Sequence, residues 1–290
     1  MYSYDWDPLT GGYLLNSTPL SFSKEPRPVY YQELDILGFN AKWKYPKSDA
    51  YPLMWAEANN YYYRGKLVAR TKGGSICQAP ELIFVDDPEP AGEELRFVDI
   101  PAMVEKNKNI LESLTQEAIK KIYNCYSANR NKYDIYYVAF SGGKDSVVTL
   151  DLVQRALPHN DFIVLFGDTK MEFPDTYKVV ELIKEECNKK GISFHVAQSN
   201  LEPEDTWKEF GPPAQKIRWC CSVHKSAPQI IYLREYLHKL NFRGLSFTGI
   251  RADESFARSE YDETSYGDKI KGQDSFRPIL TWNSAEVYLY

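Results

Sequence analysis

The chain has 290 residues, 43% apolar and 14% aromatic, enough to bury the core of one large or two ordinary domains. A formal charge of -5 rules against a protein that coats nucleic acid through bulk electrostatics and leaves only local basic grooves for such contacts. The opening MYSYDWDPLT has neither a basic nor an apolar leader region, no stretch is long enough to span a bilayer, and five cysteines, with Cys220 and Cys221 adjacent, do not suit a secreted disulfide framework. A cytoplasmic chain with reduced or metal-bound thiols and no membrane partner is expected.

In chain order, residues 1–100 are rich in Tyr, Trp, Pro and Gly in short runs such as PRPVYYQELDILGF and ELIFVDD, which predicts a small β-rich domain. YYYRGKLVARTKGG, with Gly65 at a turn, predicts a hairpin. After the acidic loop at 86–94, Val104, Leu111, Leu114, Ala118, Ile122 and Cys125 recur at mostly three- and four-residue spacing, so 101–133 reads as an amphipathic linking helix with Cys125 on its apolar face. From Asp134 the runs IYYVAF, FIVLFGD, ISFHVAQ and GLSFTGI alternate with helical segments. Runs apolar on both faces between helices predict a doubly wound α/β fold with a mainly parallel sheet over 134–290. Cys187 falls on the apolar stripe of one of its helices.

Ligands bind such sheets at the carboxyl ends of strands. VAFSGGKDSVVTL puts a turn there: Gly142 and Gly143 let main-chain N–H groups approach an anion, Ser141 and Ser146 add hydroxyls, and a helix start supplies its positive end. Lys144 can neutralise phosphate charge, and Asp145 can orient magnesium or fix the loop. Taken alone, a Gly-Gly turn after a strand needs no ligand. The spacing matches neither the usual P-loop nor a dinucleotide fingerprint, which disfavours hydride chemistry.

The whole string resembles the signature of the PP-loop ATP pyrophosphatases, the adenine nucleotide α-hydrolase-like superfamily. Four further segments are similar to the phosphoadenosine phosphosulfate (PAPS) reductase family within it. VLFGDTKMEFPDTYKVVELI implies Asp168 and Thr169 beside the adenosine, with Glu172 and Thr176 near the loop; the alternative for Asp168 is a turn cap. KIRWCCSVHKSAP implies that Cys220 and Cys221 are ligands of a [4Fe-4S] cluster, as in cluster-containing relatives; two buried, unliganded thiols are the alternative. In the same segment Lys225, with Arg218 and Lys216, forms a cationic patch for nucleotide phosphates, and His224 either donates to phosphate or caps a helix. FTGIRADESFARSEY implies a nucleotide-binding loop that includes Gly249, with Arg251 and Arg258 at the anionic end of the substrate and Glu254 holding one arginine, against a plain surface salt-bridge loop. FRPILTWNSAEVYLY resembles the family's next strand and helix; it ends mid-helix, which predicts a domain truncated at its C-terminus.

Two chemistries share this scaffold. In one, ATP is cleaved between its α and β phosphates with Mg2+ to adenylate an acceptor, with a sulfur donor and a nucleic acid or small molecule as partners. In the other, a thiol-dependent reductase acts on a PAPS-like sulfonucleotide with a thioredoxin-like reductant. The lysine and aspartate of SGGKDS favour the first, because PAPS reductases generally have a looser loop without this lysine. A non-catalytic nucleotide-binding module is the remaining alternative. Lys144, Asp145 and Arg251 are the catalytic candidates on the first reading.

Overall fold

Arg64 and Gly65 both take positive φ, 45° and 82°, the pair a two-residue hairpin turn requires, and they set Tyr63 opposite Lys66. The hairpin expected here is therefore present in the computed structural model, which describes residues 2–19, 25–75, 77–214, 218–267 and 272–290.

Packing divides the chain into two units, 1–114 with 281–290, and 115–280. The division falls inside the long helix rather than on either side of it. It also takes the last ten residues away from the α/β region, where the 134–290 expectation had put them.

The first unit contains β1 (Tyr2–Asp7), β2 (Gly12–Pro19), β3 (Pro26–Val29), α1 (Tyr31–Leu37), β4 (Met54–Glu57), β5 (Asn60–Tyr63), β6 (Lys66–Lys72) and β7 (Glu81–Phe84). β1 pairs with β2, and the others form an antiparallel sheet in the order β3-β4-β5-β6-β7. YQELDIL, expected within a β-rich stretch, is helical: Leu34 is its buried anchor, and Gly38 at φ 85° ends it by returning its N–H to the carbonyls of Leu34 and Asp35. The unit's core gathers Phe39, Trp43, Met54, Tyr61 and Tyr63.

Asp7 is buried at the end of β1. Burial works against its charge, but Lys106 Nζ at 2.5 Å, the Thr10 hydroxyl at 2.8 Å and the Leu9 N–H overcome it and hold the carboxyl below the usual aspartate range. A depressed native pKa adds stability that is fully present above the unfolded value of about 3.9 and is lost as pH falls through the native one. Asp7→Asn should therefore melt lower than the parent by a constant margin at neutral pH, a margin that shrinks below about pH 4. Melting scans across that range check it; a margin that does not change with acid would contradict the pairing.

α2 (Ile100–Asn129) carries the expected apolar stripe, with Leu114, Ala118 and Ile122 buried. The second unit then runs through β8 (Ile135–Phe140), α3 (Lys144–Ala156), β9 (Ile163–Asp168), α4 (Pro174–Lys189), β10 (Ser193–Gln198), α5 (Pro203–Phe210), α6 (Ala227–Leu237), β11 (Gly244–Phe247), α7 (Phe256–Ser259), β12 (Thr264–Tyr266) and β13 (Gln273–Phe276). The sheet order is β10-β9-β8-β11-β13-β12, parallel except for β12 at the edge. This is the doubly wound fold expected. The chain order reverses between β8 and β11, and the crevice at their carboxyl ends is where such sheets hold ligands. α8 (Ser284–Leu289) belongs to the first unit.

Candidate functional site

β8 ends at Phe140 and α3 begins at Lys144, so the loop between them lies at the reversal point. Gly142 takes φ 77°, and a Cβ there would meet Thr176 Cγ2 at 2.8 Å, so both conformation and space demand glycine. Gly143 is different. Its φ of -82° suits any residue, and a Cβ would meet only Ser141 Oγ at 3.7 Å. Nothing in the fold requires glycine at 143; its missing side chain leaves open space above the loop.

The N–H groups of Gly142, Gly143 and Asp145 have no protein acceptor among the described residues, as expected of a helix start. Ser146, expected as a hydroxyl donor to phosphate, is buried and donates to the Gly143 carbonyl at 2.7 Å while accepting from Ser141 N–H at 3.3 Å. Its hydroxyl braces the loop from inside. Ser141 stays exposed.

Asp145 is the knot of the site. One carboxylate oxygen accepts from Arg251 Nε at 2.7 Å and the other from Lys144 Nζ at 3.0 Å. Arg251 is 1% exposed, and its far side faces Asp253 at 3.8 Å. The sequence reading had put Arg251 on the anionic end of the substrate. Its guanidinium instead lies beneath the loop between two carboxylates, because a buried cation needs paired partners. Gly249 makes that approach feasible: a Cβ there would sit 2.5 Å from the Asp145 carbonyl oxygen, so the exit of β11 and the first turn of α3 touch backbone to backbone. Glu254 accepts from Arg258 and from the Arg251 N–H at 3.0 Å; Arg258 remains partly exposed.

Asp168 closes β9 with a carboxylate filled by protein donors: Lys170 N–H, the Tyr177 hydroxyl and Gln198 Nε2, each at 2.8 Å. Burial and that bond push the Tyr177 phenol up to about 12. The turn-cap alternative accounts for Asp168 in this arrangement, since no carboxylate oxygen is left without a donor. Thr169 donates to Glu172 at 3.1 Å.

Cys220 is half-buried and Cys221 exposed, at the head of a helical stretch whose wide turn, Cys221–Ser226, runs on into α6. Burial first, and then the neighbouring thiol, raise the Cys220 pKa, which disfavours its thiolate. His224, a candidate phosphate donor in the sequence, is fully buried with Nε2 2.9 Å from the Thr206 hydroxyl. Lys225 lines a hollow on the α6 face of the sheet, Arg218 is exposed, and Lys216 lies outside the described residues.

Neither implied inorganic group fits these donors. Both oxygens of Asp145 already face a cation, Arg251 on one and Lys144 on the other, so a magnesium ion there would have to displace or crowd a like charge. A four-thiolate cluster needs two ligands beyond Cys220 and Cys221, and no group of three metal-binding side chains occurs among the described residues. Cys125 and Cys187 are half-buried and buried thiols, each pushed up to about 11 chiefly by burial.

The model of the phosphoadenosine phosphosulfate reductase domain matches residues 135–290, more than half of the chain. The chain belongs to the PAPS reductase family. An uncharacterized protein of Methanocaldococcus jannaschii is 36% identical over 193 residues, covering 65% of this chain and 37% of that protein. An adenosine 5'-phosphosulfate reductase of Halalkalibacterium halodurans is 26% identical over 188 residues, covering 64% of this chain and 74% of the relative. A second Methanocaldococcus jannaschii protein is 34% identical, and the chain spans 45% of it, so this family member covers less than half of either archaeal relative. No helix among the described residues is long and apolar enough to cross a membrane.

Sequence reasoning did not find Asp253 as the second partner of Arg251, nor Tyr177 and Gln198 as the donors that fill Asp168. These pairings join separate turns and strands, and no local spacing signals them.

Proposed function

We propose that this PAPS reductase family member binds an adenine nucleotide on the loop from Ser141 to Ser146 and cleaves ATP between the α and β phosphates, adenylating an acceptor in a route that transfers sulfur. The observation that carries the reading is Gly143. The fold leaves it free to be any residue, and a Cβ there would meet only Ser141 Oγ at 3.7 Å, so the turn keeps open space beside three N–H groups that have no acceptor among the described residues, room that suits a phosphate. Lys144 is partly exposed on the same turn and can follow the charge of the leaving group. In the step itself, an acceptor oxygen bonds to the α-phosphorus as the bond to the α,β-bridging oxygen breaks, and pyrophosphate departs with the electron pair.

A second reading, reduction of a sulfonucleotide by a thiol reductant, is supported by the family model and by relatives described as adenosine 5'-phosphosulfate reductases. Cys221 is the exposed thiol of the second unit; its half-buried neighbour Cys220 is disfavoured as a thiolate.

Gly143→Ala should melt within about 1 kcal/mol of the parent, the usual range for a tolerated Gly-to-Ala change, and should lose at least about tenfold in ATP affinity. Pyrophosphate release from ATP, set beside sulfite release from adenosine phosphosulfate with thioredoxin, separates the two reactions. Sulfite without pyrophosphate would overturn the first reading, and unchanged ATP affinity in Gly143→Ala would overturn the loop as the site.

A further inference from the structure

A strand at the edge of a sheet turns alternate N–H and C=O groups away from its neighbour, and that open row is a template on which another strand pairs. Natural sheets guard such rows with charge, proline, a bulge, a covering side chain or short length. With one exception, the free edges among the described residues follow that rule. β1 carries Asp5 and Asp7 and shifts its register between Tyr2 and Ser3. β2 is met by α2, where Asn107 accepts from the Leu15 N–H at 2.7 Å and donates to the Tyr13 carbonyl at 2.9 Å. β3 reads PRPV, with prolines at 26 and 28. β7 has four residues and opens on Glu81, and β12 has three.

β10 is the exception. It is the edge of the six-stranded sheet beyond β9, and SFHVAQ holds no carboxylate, lysine, arginine or proline. Its six residues pair with Ile163–Asp168 without a bulge, so the open row is straight from end to end. Ser193, Val196 and Gln198 are exposed, and the backbone of β10 makes no bond on its open side among the described residues. Its one titratable side chain, His195, meets the Tyr232 hydroxyl at 2.6 Å, and burial holds it below the ordinary histidine range, uncharged at neutral pH.

The borders of the row are apolar. Side chains alternate between the two faces of a strand. On the α6 face the exposed Tyr236 lies against His195, ring centres 4.9 Å apart. On the other face Phe194 packs on Phe140, and the exposed Val196 follows it. The right-handed crossovers β9-α4-β10 and β10-α6-β11 step in opposite directions along the sheet, so α4 and α6 cover opposite faces of this edge.

An occupant of this row must offer an extended, uncharged backbone of matching length with apolar side chains on both faces. A second copy of β10 does so. About a two-fold axis normal to the sheet the strand runs antiparallel to itself and each face stays continuous, so α4 comes beside the second copy's α4 and α6 beside its α6. Centred on Val196, the pairing sets that residue against the second copy's Val196 and His195 opposite Ala197, and no like charges meet within the strands. The flanking helices extend the contact toward the roughly 800 Å2 per partner of a standard interface. A charged peptide gains nothing from so neutral a strand. β9 separates this edge from β8 and the loop that follows it, so the contact leaves the proposed nucleotide site open.

We propose that this protein forms a two-fold dimer in which β10 pairs antiparallel with the β10 of a second copy, joining the two sheets into one.

Sedimentation velocity of the full chain should show a dimer by about 100 μM, and Val196→Lys and Val196→Glu, which set like charges against each other at the axis, should each sediment as a monomer. Mixed in equal amounts, the two variants should recover the dimer, because lysine then faces glutamate; that recovery separates a lost contact from a lost fold. In amide exchange, the outward N–H groups of β10 should be protected in the parent and unprotected in either variant alone. A parent that stays monomeric, a dimer that persists in both variants, a mixture that stays monomeric, or a dimer whose β10 amides exchange freely would each overturn the proposal.

Discussion

Replacing Arg251 with methionine is expected to lower the stability of the second unit by about 3–5 kcal/mol, the usual cost of removing one partner from a buried ion pair. The guanidinium is 1% exposed, bonds Asp145 at 2.7 Å and faces Asp253, so its removal leaves carboxylates in a site built around a cation. Asp145→Asn in the same chain should recover part of the loss, because the two residues act on one interaction. Thermal melts of the two single variants and the double variant read this directly. A chain that melts like the parent and loses only nucleotide affinity would return Arg251 to the substrate-binding role the sequence implied.

Deleting residues 281–290 is expected to unfold the first unit, although sequence continuity attaches them to the second. α8 buries Ala285, Val287 and Leu289, preceded by Trp282, and burying a side chain of valine or leucine size contributes about 1.5–3 kcal/mol. Its polar contacts are as deep. Glu286 is fully buried and accepts from the N–H groups of Asn283 at 2.6 Å and Tyr2 at 2.8 Å, Asn283 Nδ2 returns a bond to the Tyr2 carbonyl, and Tyr13 donates to the Ala285 carbonyl. A cooperative transition assigned to the first unit should vanish from the melt of the shortened chain, and the buried tryptophans Trp55 and Trp282 make fluorescence a suitable probe in the parent. Retention of that transition with an unchanged midpoint would mean that α8 is dispensable to the first unit.

How much was legible follows from where each signal resides. Alternating apolar runs and helical stripes are local, so β8, β9, β10 and β11 and the helices between them could be placed from the chain alone, and with them the loop at the reversal point. Asp145 and Arg251 were both visible as candidates, but their contact spans 106 residues and rests on the glycine at 249 that lets two backbones touch. Charge alone therefore pointed Arg251 toward a substrate, while burial turned it inward. α1 was hidden inside an aromatic stretch whose composition favours strands, and Gly38, which ends it, was the signal passed over. The hollow that Lys225 lines was half written in GLSF. Ser246 breaks the apolar run of GLSF, yet only the register sets it beside Ser275.

The most direct measurement uses 15N-labelled chain titrated with α,β-methylene ATP, which cannot be cleaved between those phosphates. The amide signals of Gly142, Gly143 and Asp145 should shift together and saturate at one equivalent, and Gly143→Ala should abolish the shift while leaving the remaining spectrum in place. Saturating shifts that leave those three amides unmoved would contradict the account, as would a Gly143→Ala chain that binds the analogue like the parent.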